Sequence, residues 1–285
     1  MIDVSVIIVT WNSENEIIPC IDSVINNSRD LSVELIIIDN NSTDKTFELI
    51  NKTNFSNLHT YKNRENLGFT KAVNQGIKYS KAENILLLNP DTVISKGSLD
   101  HLNKFLKKSN DYGGCAPLML NRDGTIQYSV RNFPTYWSMF CEFSLLSYIF
   151  PKSSLFGRWK MKYFNYLKDM DVQQPMASAF LIKKSVLDEV NKMDEQFIMF
   201  FNDVDLCKKI LDMGHKIRFL TDAKIIHKHG ASIYKDRVKM IKIWSKDCVK
   251  YFEKHHYNAL LLLWLKISLK ISELLRILYF KLFNS

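Results

Sequence analysis

Short apolar runs alternate with helical patterns in the first third of the chain, and this alternation constrains the fold more than any other feature. The runs at 4–9, 35–38 and 85–88 consist mainly of leucine and β-branched residues, and segments with apolar residues at helical spacing separate them. Runs this apolar are typical of parallel strands covered on both faces. The third run ends at 89–91, where Pro90 has no N–H to continue a hydrogen-bond ladder. The pattern predicts an α/β fold with a mostly parallel sheet flanked by helices.

Polar residues follow each of the three apolar runs, at 10–12, 39–41 and 89–91. Ligands of parallel sheets bind beyond the carboxyl ends of the strands, so we expect the three clusters to lie at one shared site. For Asp91 considered alone, capping of the next helix is an equally good interpretation. The common rim of the sheet favours a ligand site over capping. A carboxylate that approaches a phosphate there would need a divalent cation between the two anions.

The composition indicates one large domain with a sizeable core, or such a domain with an appendage. The chain has 285 residues, of which 46% are hydrophobic, and its formal charge is +9. Basic residues crowd 152–168, 235–254 and the carboxyl-terminal end. This excess favours an anionic partner, which could be a nucleotide, a nucleic acid or an acidic membrane surface. A nucleic-acid-binding protein is therefore one alternative, but no recognised nucleic-acid module is visible, and we expect no nucleic-acid partner.

The cysteines and the first residues predict a cytoplasmic protein. The cysteines are odd in number, far apart and never in a CxxC pair, which argues against a disulfide framework and against a zinc site. They are Cys20, Cys115, Cys141, Cys207 and Cys248. The stretch MIDVSVIIV leads directly into a strand without a basic region or a cleavage site, so we expect no signal peptide.

Six blocks of sequence, taken in order, resemble the family 2 glycosyltransferases, which are inverting enzymes of the GT-A fold. They are VSVIIVTWN (4–12), LIIIDNNSTD (35–44), NRENLGFTKAVNQGI (63–77), LLLNPDT (86–92), FFNDVDLC (200–207) and IIHKHGAS (225–232). Each block is weak alone, but the order and spacing fit from residue 4 to about 235. The Asn-Pro-Asp in place of the usual Asp-x-Asp and the stretch QYSVRNFPT (127–135) most resemble bacterial rhamnosyltransferases of surface polysaccharide synthesis.

The resemblance implies a Rossmann-like, nucleotide-sugar-binding half and a role for each matching residue. The implied nucleotide-sugar-binding residues are Thr10, Trp11, Asn12, Asp39, Asn66, Gly68, Phe69, Asn74, Asn89 and Asp91. The first three would line the nucleotide base, which Asp39 would hydrogen-bond, and residues 66–74 would lie along the nucleotide and its sugar. Trp11 stands where the family usually has Tyr.

The resemblance also implies a metal site for Mg²⁺ or Mn²⁺. Asp91 would be the retained ligand of the Asp-x-Asp motif, whose first Asp is replaced by Asn89. His227 would complete the coordination near the diphosphate, with His229 as the second candidate. A purely structural role for His227 stays open at this point.

On the acceptor side, the resemblance implies that Asp203 is the catalytic base, which deprotonates the acceptor hydroxyl. Asn202 stands where many members have Glu, and Ser178 stands at the position of a usual Gly. Asp205 is expected to stabilise the helix amino terminus through the helix dipole, because a single base is enough.

These roles predict an inverting glycosyltransferase that works by a single displacement. The best sequence-based interpretation is transfer of rhamnose from dTDP-rhamnose to a polysaccharide or lipid-linked saccharide acceptor. A UDP-sugar donor is the alternative within the fold. A non-catalytic GT-A-like scaffold is the alternative suggested by Asn89 and Asn202, but Asp91 and Asp203 are both present.

The blocks divide the chain into a GT-A domain at 1–235 and a helical segment at 236–285. Within the domain, 1–115 is the expected nucleotide-sugar-binding part and 116–235 the acceptor part. From residue 260 onward the segment is strongly apolar, and its charges fall at helical spacing. The charged residues are Lys266, Lys270, Glu273, Arg276 and Lys281.

The charges in the carboxyl-terminal segment argue against a membrane-spanning helix. A broad apolar face with a basic stripe fits a helix lying in the plane of an anionic membrane. The alternative is a packing or oligomerisation helix. We therefore expect a peripheral protein on the inner face of the cell membrane, and homo-oligomerisation stays open.

Overall fold

A central mixed sheet organises the computed structural model, which describes residues 2–27, 30–228 and 237–283, with side chains up to 278. The elements of the first half are β1 (Val4–Thr10), α1 (Ile17–Asn26), β2 (Val33–Asp39), α2 (Thr46–Asn51), β3 (Leu58–Lys62), α3 (Phe69–Tyr79), β4 (Asn84–Leu88), β5 (Thr92–Ile94), α4 (Ser98–Lys108) and β6 (Tyr112–Leu120). Those of the second half are β7 (Val130–Arg131), α5 (Tyr136–Phe143), α6 (Leu146–Ile149), β8 (Met170–Asp171), β9 (Gln174–Pro175), β10 (Ala179–Lys183), α7 (Lys184–Glu189), α8 (Asn202–Asp212), β11 (Lys216–His227), α9 (Arg237–His255) and α10 (Ala259–Phe283).

The strand order within the described residues is β3-β2-β1-β4-β10-β6-β11-β5, with β8 paired to β11. Strands β1 to β4 are all parallel to one another, and β11 runs parallel to β6. Strand β10 is antiparallel to both of its neighbours and joins the two parallel halves. This arrangement confirms the predicted mostly parallel sheet, and it brings the carboxyl ends of β1, β2 and β4 to one edge.

The apolar strands bury side chains on both faces of the sheet, which explains why their sequences show no alternation with polar residues. On one face, Ile7 and Ile36 pack with residues of α3, α7 and α8. On the other face, Ile8 and Ile37 pack with residues of α1 and α4. Helix α3 lies very close to β1 at Gly76, where a Cβ atom would come within 2.5 Å of Ile7 Cγ2.

Helices α9 and α10 do not extend away from the domain. Together with α5 and the start of α8 they form a third apolar cluster, in which Tyr251 and Phe252 of α9 are fully buried. From α10, Leu262, Leu265 and Leu269 enter this cluster. One face of α10 is thus a packing face, while the opposite face is exposed.

None of the helices in the described part of the chain is long and apolar enough to cross a membrane. Two of the cations of α10 have partners that the sequence pattern did not indicate. Lys266 pairs with Glu253 at 2.8 Å, and the guanidinium of Arg276 lies over the ring of Trp244 at 5.6 Å. The side chain of Lys281 lies outside the described residues.

Candidate active site

A cavity of about 770 Å³ opens at the edge of the sheet where β1 and β4 end. Eight of the residues implied by the resemblance line it: Thr10, Trp11, Asn66, Gly68, Phe69, Asn89, Asp91 and His227. They come from four separate parts of the chain, and the parallel register of β1 with β2 and β4 sets their strand ends side by side. The shared rim expected from the polar clusters is therefore present as a concave site.

Asp39 lies beneath the cavity wall and does not line it. It is opposite Thr10 in the β1–β2 register, and its carboxylate is fully buried. Thr10 Oγ1 donates to Asp39 Oδ1 at 3.1 Å, and the Ser42 backbone N–H donates to Oδ2 at 3.0 Å. In this conformation Asp39 holds the turn after β2, and its contact with a nucleotide base stays a prediction.

Asn12 also shapes the same turn. It has a positive φ of 52°, which Asn tolerates better than most residues. Its backbone N–H donates to Ser42 Oγ at 2.9 Å, and its Oδ1 accepts from the Thr43 N–H at 2.8 Å. Asn12 thus joins the end of β1 to the loop after β2.

Asn74, expected along the nucleotide and sugar, lies outside the cavity. Its side-chain amide donates to the Met193 carbonyl at 2.9 Å and to Glu195 Oε1 at 3.0 Å, while its Oδ1 accepts from the Met193 N–H at 3.2 Å. These bonds fasten α3 to the loop at 191–197. Glu195, one of these partners, lines the cavity. Asn74 therefore stabilises the cavity wall without lining it.

The structure brings Asp91 and His227 together. Strands β5 and β11 pair antiparallel with Thr92 opposite His227, which places the imidazole beside Asp91. His227 Nε2 faces Asp91 Oδ1 at 3.3 Å, and both side chains are almost completely buried. A carboxylate oxygen and an imidazole nitrogen facing one another at this distance suit a shared cation.

Gln127 sets the orientation of the His227 ring. Its Oε1 accepts from His227 Nδ1 at 2.8 Å, and its Nε2 donates to Asn121 Oδ1 at 3.1 Å. This bond engages Nδ1 and leaves Nε2 as the ring nitrogen that faces Asp91. Metal-binding histidines are commonly held by such a second hydrogen bond. Gln127 belongs to the stretch 127–135 that resembles rhamnosyltransferases, but the resemblance implies no role for it.

The residues at this point fit a divalent cation. Within the described ranges, no group of three or more His, Cys, Asp or Glu side chains is placed to hold a metal ion. The protein would therefore supply Asp91 and His227, and diphosphate oxygens and water would supply the other ligands, as is common for Mg²⁺. His229, the other candidate ligand, lies outside the described residues.

Asp203 occupies the first turn of α8 and is partly buried. Its Oδ1 accepts from the Val204 N–H at 2.8 Å, and its Oδ2 accepts from Gln174 Nε2 at 3.0 Å. Burial raises the pKa of Asp203 above its ordinary value, and the positive charge of Arg131 partly offsets this rise. A carboxylate with a raised pKa is a better proton acceptor than an ordinary one.

Asp203 does not itself line the cavity, but Asn202 ties it to the wall. The Asn202 amide donates to Thr70 Oγ1 at 3.2 Å and to the Met199 carbonyl at 3.1 Å, and both partners line the cavity. Its Oδ1 accepts from the Asp203 N–H at 2.7 Å. Asn202, which stands at the position of the family's Glu, is therefore a buried residue whose hydrogen bonds link α3 to α8.

Asp205 is fully buried and anchors α8 to α9. Its Oδ1 lies 2.7 Å from Lys254 Nζ and 2.7 Å from His255 Nε2. The expected role at the helix amino terminus is thus joined by contacts between the buried carboxylate and two basic residues of α9. Because its carboxylate is fully buried and bound by these two side chains, Asp205 is a poor candidate for the base.

Two cavity walls were not anticipated from sequence. The loop at 195–199 and four residues of α9, namely Lys239, Met240, Ile243 and Lys250, line the cavity. The excess of positive charge at 235–254 indicates that this segment lies near an anionic ligand, but no local sequence pattern indicates that it lies at the edge of the sheet. Its position there results from the packing of α9 on the loop at 195–199, which is distant in sequence.

Several buried polar atoms on the acceptor side have no hydrogen-bond partner among the described residues. They are Gln174 Oε1, Ser178 Oγ and Trp159 Nε1. Gln174 also binds Asp203, and Ser178 bonds through its carbonyl to the N–H of Asn89, so both lie beside predicted site residues.

Comparison with known proteins identifies the family. Residues 5–189 match the family model described as glycosyl transferase family 2. The low-salt glycan biosynthesis hexosyltransferase Agl10 of Haloferax volcanii is 27% identical over 210 residues, which cover 72% of this chain and 60% of that protein. The dTDP-rhamnosyl transferase RfbF of Shigella flexneri is 23% identical over 233 residues, or 79% of this chain and 68% of that protein.

A third relative is the N-acetylglucosaminyl-diphospho-decaprenol L-rhamnosyltransferase of Mycobacterium tuberculosis. It is 21% identical over 172 residues, which cover 60% of this chain and 55% of that protein. The match thus spans little more than half the length of this relative, and 60% of the Haloferax protein.

Solved structures show the same fold. The structure of GalNAc-T7 with UDP, GalNAc and Mn²⁺ superposes with a TM-score of 0.59 at 17% identity, covering 79% of this chain and 43% of that one. The structure of S. aureus TarS 1–349 superposes with a TM-score of 0.56 at 18% identity, covering 90% of this chain and 74% of that one. The predicted GT-A fold is thereby confirmed. The match of the family model over more than half of the chain, on the fold that its members share, establishes that this protein is a glycosyltransferase of family 2.

Proposed function

We propose that the protein transfers rhamnose from dTDP-rhamnose to a saccharide carried on a lipid or a polysaccharide, by a single displacement with inversion. The observation that carries the proposal is the cavity at the strand ends, in which Asp91 and His227 face one another beside the predicted nucleotide-binding residues. The choice of sugar is supported by two of the relatives, which are named rhamnosyltransferases. The lipid-linked acceptor is supported by the name of the mycobacterial relative.

On the donor side, the chain would hold the nucleotide-sugar along the cavity wall. Trp11 and Phe69 offer aromatic and apolar surface, and Asn66 and Asn89 offer amide groups. Asp91 and His227 would hold Mg²⁺ or Mn²⁺, which when bound would stabilise the charge of the diphosphate leaving group. The Gln127–His227 hydrogen bond prepares the imidazole for that ligand.

On the acceptor side, Asp203 would take the proton of the attacking hydroxyl. Gln174 holds one carboxylate oxygen of Asp203, and Arg131 favours its ionised form. A single displacement needs one base and no second carboxylate as nucleophile, in contrast to hydrolysis with retention. The buried network around Asp205 agrees with this, since it leaves Asp203 as the carboxylate on this helix turn for the reaction.

We further propose that the protein works at the inner face of the cell membrane as a peripheral protein. There it would reach a lipid-linked acceptor, while the nucleotide-sugar would come from the cytoplasm. With a soluble polysaccharide as acceptor, the protein would not need to reach the membrane.

A screen of nucleotide-sugars tests the proposed donor. Thermal unfolding of the full chain is followed with dTDP-rhamnose, UDP-glucose, UDP-N-acetylglucosamine and GDP-mannose, each with Mn²⁺ and with EDTA. A ligand that binds only the folded state raises the unfolding temperature by mass action. We expect the largest Mn²⁺-dependent rise with dTDP-rhamnose. A larger rise with a UDP-sugar would overturn the rhamnosyl assignment and favour the UDP-sugar alternative.

A further inference from the structure

The outer face of α10 carries a continuous apolar stripe. Seven of its side chains are each more than half exposed: Leu260, Leu263, Ile267, Ile271, Leu274, Leu275 and Leu278. Their spacing of three, four and seven residues places them along one face of the helix. The opposite face carries the buried residues Leu262, Leu265 and Leu269. Helix α10 is therefore apolar on both sides, and only one side has a partner in the described residues.

A second exposed apolar set lies at α6 and its flanks. Its members are between half and four-fifths exposed: Leu145, Tyr148, Ile149, Phe150 and Leu155. Four of these five are contributed by one short stretch, 145–150. An exposed cluster of large apolar side chains on this scale marks an interaction surface.

Aromatic contacts join the two sets into one surface. Trp264 of α10 lies 6.4 Å from Phe140, measured between ring centroids, and Phe140 stacks on Trp137 at 5.6 Å. Trp137 lies 6.3 Å from Phe156, which lies 5.5 Å from Phe150. We call the exposed residues of α10, those of 145–155 and the rings between them the apolar platform.

We propose that the apolar platform docks on the surface of an anionic lipid bilayer, with α6 as a second anchor beside α10. This inference deepens the proposed function, since a lipid-linked acceptor is met at a bilayer, but the docking itself does not depend on the identity of the donor. Leucine and isoleucine side chains would enter the acyl boundary. Trp and Tyr, with an apolar ring and one polar group, suit the head-group level.

The charges around the apolar platform favour a bilayer over a second copy of the chain. The segment 152–168 contains five basic and no acidic residues, although one of the five, Lys160, pairs with Glu142 of α5. The five are Lys152, Arg158, Lys160, Lys162 and Lys168. Lys266 and Lys270 add exposed cations on α10, although each has a carboxylate neighbour. A two-fold dimer through this surface would bring like charges toward their own copies, whereas anionic head groups would neutralise them.

Helix α10 is also linked by side-chain contacts to the acceptor side of the site. The guanidinium of Arg131, whose charge acts on Asp203, lies over the ring of Trp159 at 5.5 Å. Trp159 lies 6.4 Å from Trp244, and Arg276 of α10 lies over Trp244 at 5.6 Å. The helix that carries the longer part of the apolar platform thus packs in the same region of the fold as Arg131.

Vesicle binding of the full chain tests the proposal. Protein is floated with vesicles of phosphatidylcholine, with or without phosphatidylglycerol, at several salt concentrations. One variant carries Leu145→Ser, Tyr148→Ser and Ile149→Ser, and a second carries Ile267→Gln and Ile271→Gln. We expect the unaltered protein to float with the anionic vesicles, less so as salt rises, and each variant to bind them about tenfold or more weakly.

The matched control changes exposed apolar residues outside the apolar platform. Tyr79→Ser and Met213→Ser remove side chains that are 39% and 52% exposed from α3 and from the end of α8. This control is expected to float like the unaltered protein. Substitution is used instead of removal of α10, because removal would uncover the buried face that carries Leu262, Leu265 and Leu269.

Three outcomes would overturn the proposal. The first is that the unaltered protein ignores anionic vesicles. The second is that the α6 variant floats like the unaltered protein, which would remove α6 as an anchor. The third is that both variants turn an oligomer into a monomer in sedimentation without lipid, which would make the surface a subunit interface. Binding of dTDP-rhamnose is measured on the same samples, so that loss of docking and failure of the proposed donor are seen separately.

Discussion

Gln127 Oε1 accepts a hydrogen bond from His227 Nδ1 at 2.8 Å, and this contact turns the other ring nitrogen toward Asp91. Gln127 is itself fixed, because its amide nitrogen donates to Asn121. The three side chains from β11, the β4–β5 turn and the loop after β6 thus form one buried polar unit. The three residues are distant from one another in sequence and belong to different parts of the fold.

Gln127→Leu is expected to weaken nucleotide-dependent Mn²⁺ binding by about 10- to 100-fold, because the imidazole loses the partner that sets its tautomer. Gln127→Glu keeps an acceptor oxygen and is the matched control, which should retain most of the affinity. Titration followed by Mn²⁺ electron paramagnetic resonance measures the affinity. Nitrogen-15 shifts of His227 report the tautomer independently of activity. Unchanged shifts in Gln127→Leu would refute the positioning role.

Asp91→Asn is expected to abolish metal-dependent donor binding while the fold is kept. The amide preserves the shape of the side chain but removes the anionic oxygen that faces His227. Calorimetric titration of dTDP with Mn²⁺ measures this. Asp212→Asn, which removes an exposed carboxylate paired with Lys208, is the control and should bind like the unaltered protein. Unaltered affinity in Asp91→Asn would exclude Asp91 from the metal site.

Asp203→Asn is expected to lower turnover by about 100-fold or more and to leave donor affinity unchanged, as for the loss of a general base. Rates with saturating donor and acceptor, together with donor titration, separate the two effects. Turnover within a few-fold of the unaltered enzyme would place the base elsewhere.

Asp205→Asn is expected to lower the stability of the folded protein and to leave the chemical step unchanged. Its removal leaves Lys254 and His255 without their shared carboxylate, and we expect a loss of about 1 to 3 kcal/mol in the free energy of unfolding. The loss is smaller than for a fully enclosed pair, because Lys254 also contacts Asp194 at 2.7 Å. Urea unfolding measures it. If Asp205→Asn instead stays folded and loses turnover as expected for Asp203→Asn, Asp205 is the base and Asp203 is the structural residue.

The raised pKa of Asp203 predicts the pH dependence of both rate and stability. Burial is the main cause, and Arg131 partly opposes it. The base works when ionised, so kcat/KM should rise with pH through the raised pKa and then level off. A group with a raised pKa in the folded state stabilises the protein below its unfolded pKa, and this stability is lost as pH rises through the folded pKa. Asp203→Asn should therefore gain stability relative to the unaltered protein over that same rise in pH. An equal difference at all pH values would contradict this.

Sequence reasoning located the strands that are buried on both faces. The runs at 4–9, 35–38 and 85–88 correspond to β1, β2 and β4, because a doubly covered strand needs apolar side chains at every position. Later in the chain, β11 is one strand although polar residues interrupt its apolar pattern, because a register shift between Leu220 and Lys224 accommodates them.

The site was predictable where residues follow a strand end, as for Thr10, Asn89 and Asp91. It was not predictable where the position depends on contacts between distant segments. Asn74 has the motif context of a ligand-binding residue, yet its amide is used by the loop at 191–197. Gln127 had no local signal, because its partner is 100 residues away in the chain. The roles of Asp91, Asp203 and His227 in binding and catalysis stay predictions.

The contacts of the buried Asp205 carboxylate with Lys254 and His255 have an evolutionary consequence. Loss of Asp205 alone would leave both basic residues without their shared carboxylate, whereas loss of either basic residue alone would leave Asp205 the other partner. Natural substitutions of Asp205 should therefore come together with changes of its partners, and a relative with an uncharged residue at the position of Asp205 should more often lack the lysine and the histidine. The carboxylate two residues earlier is not bound by this constraint, so the two aspartates of one helix turn should diverge at different rates.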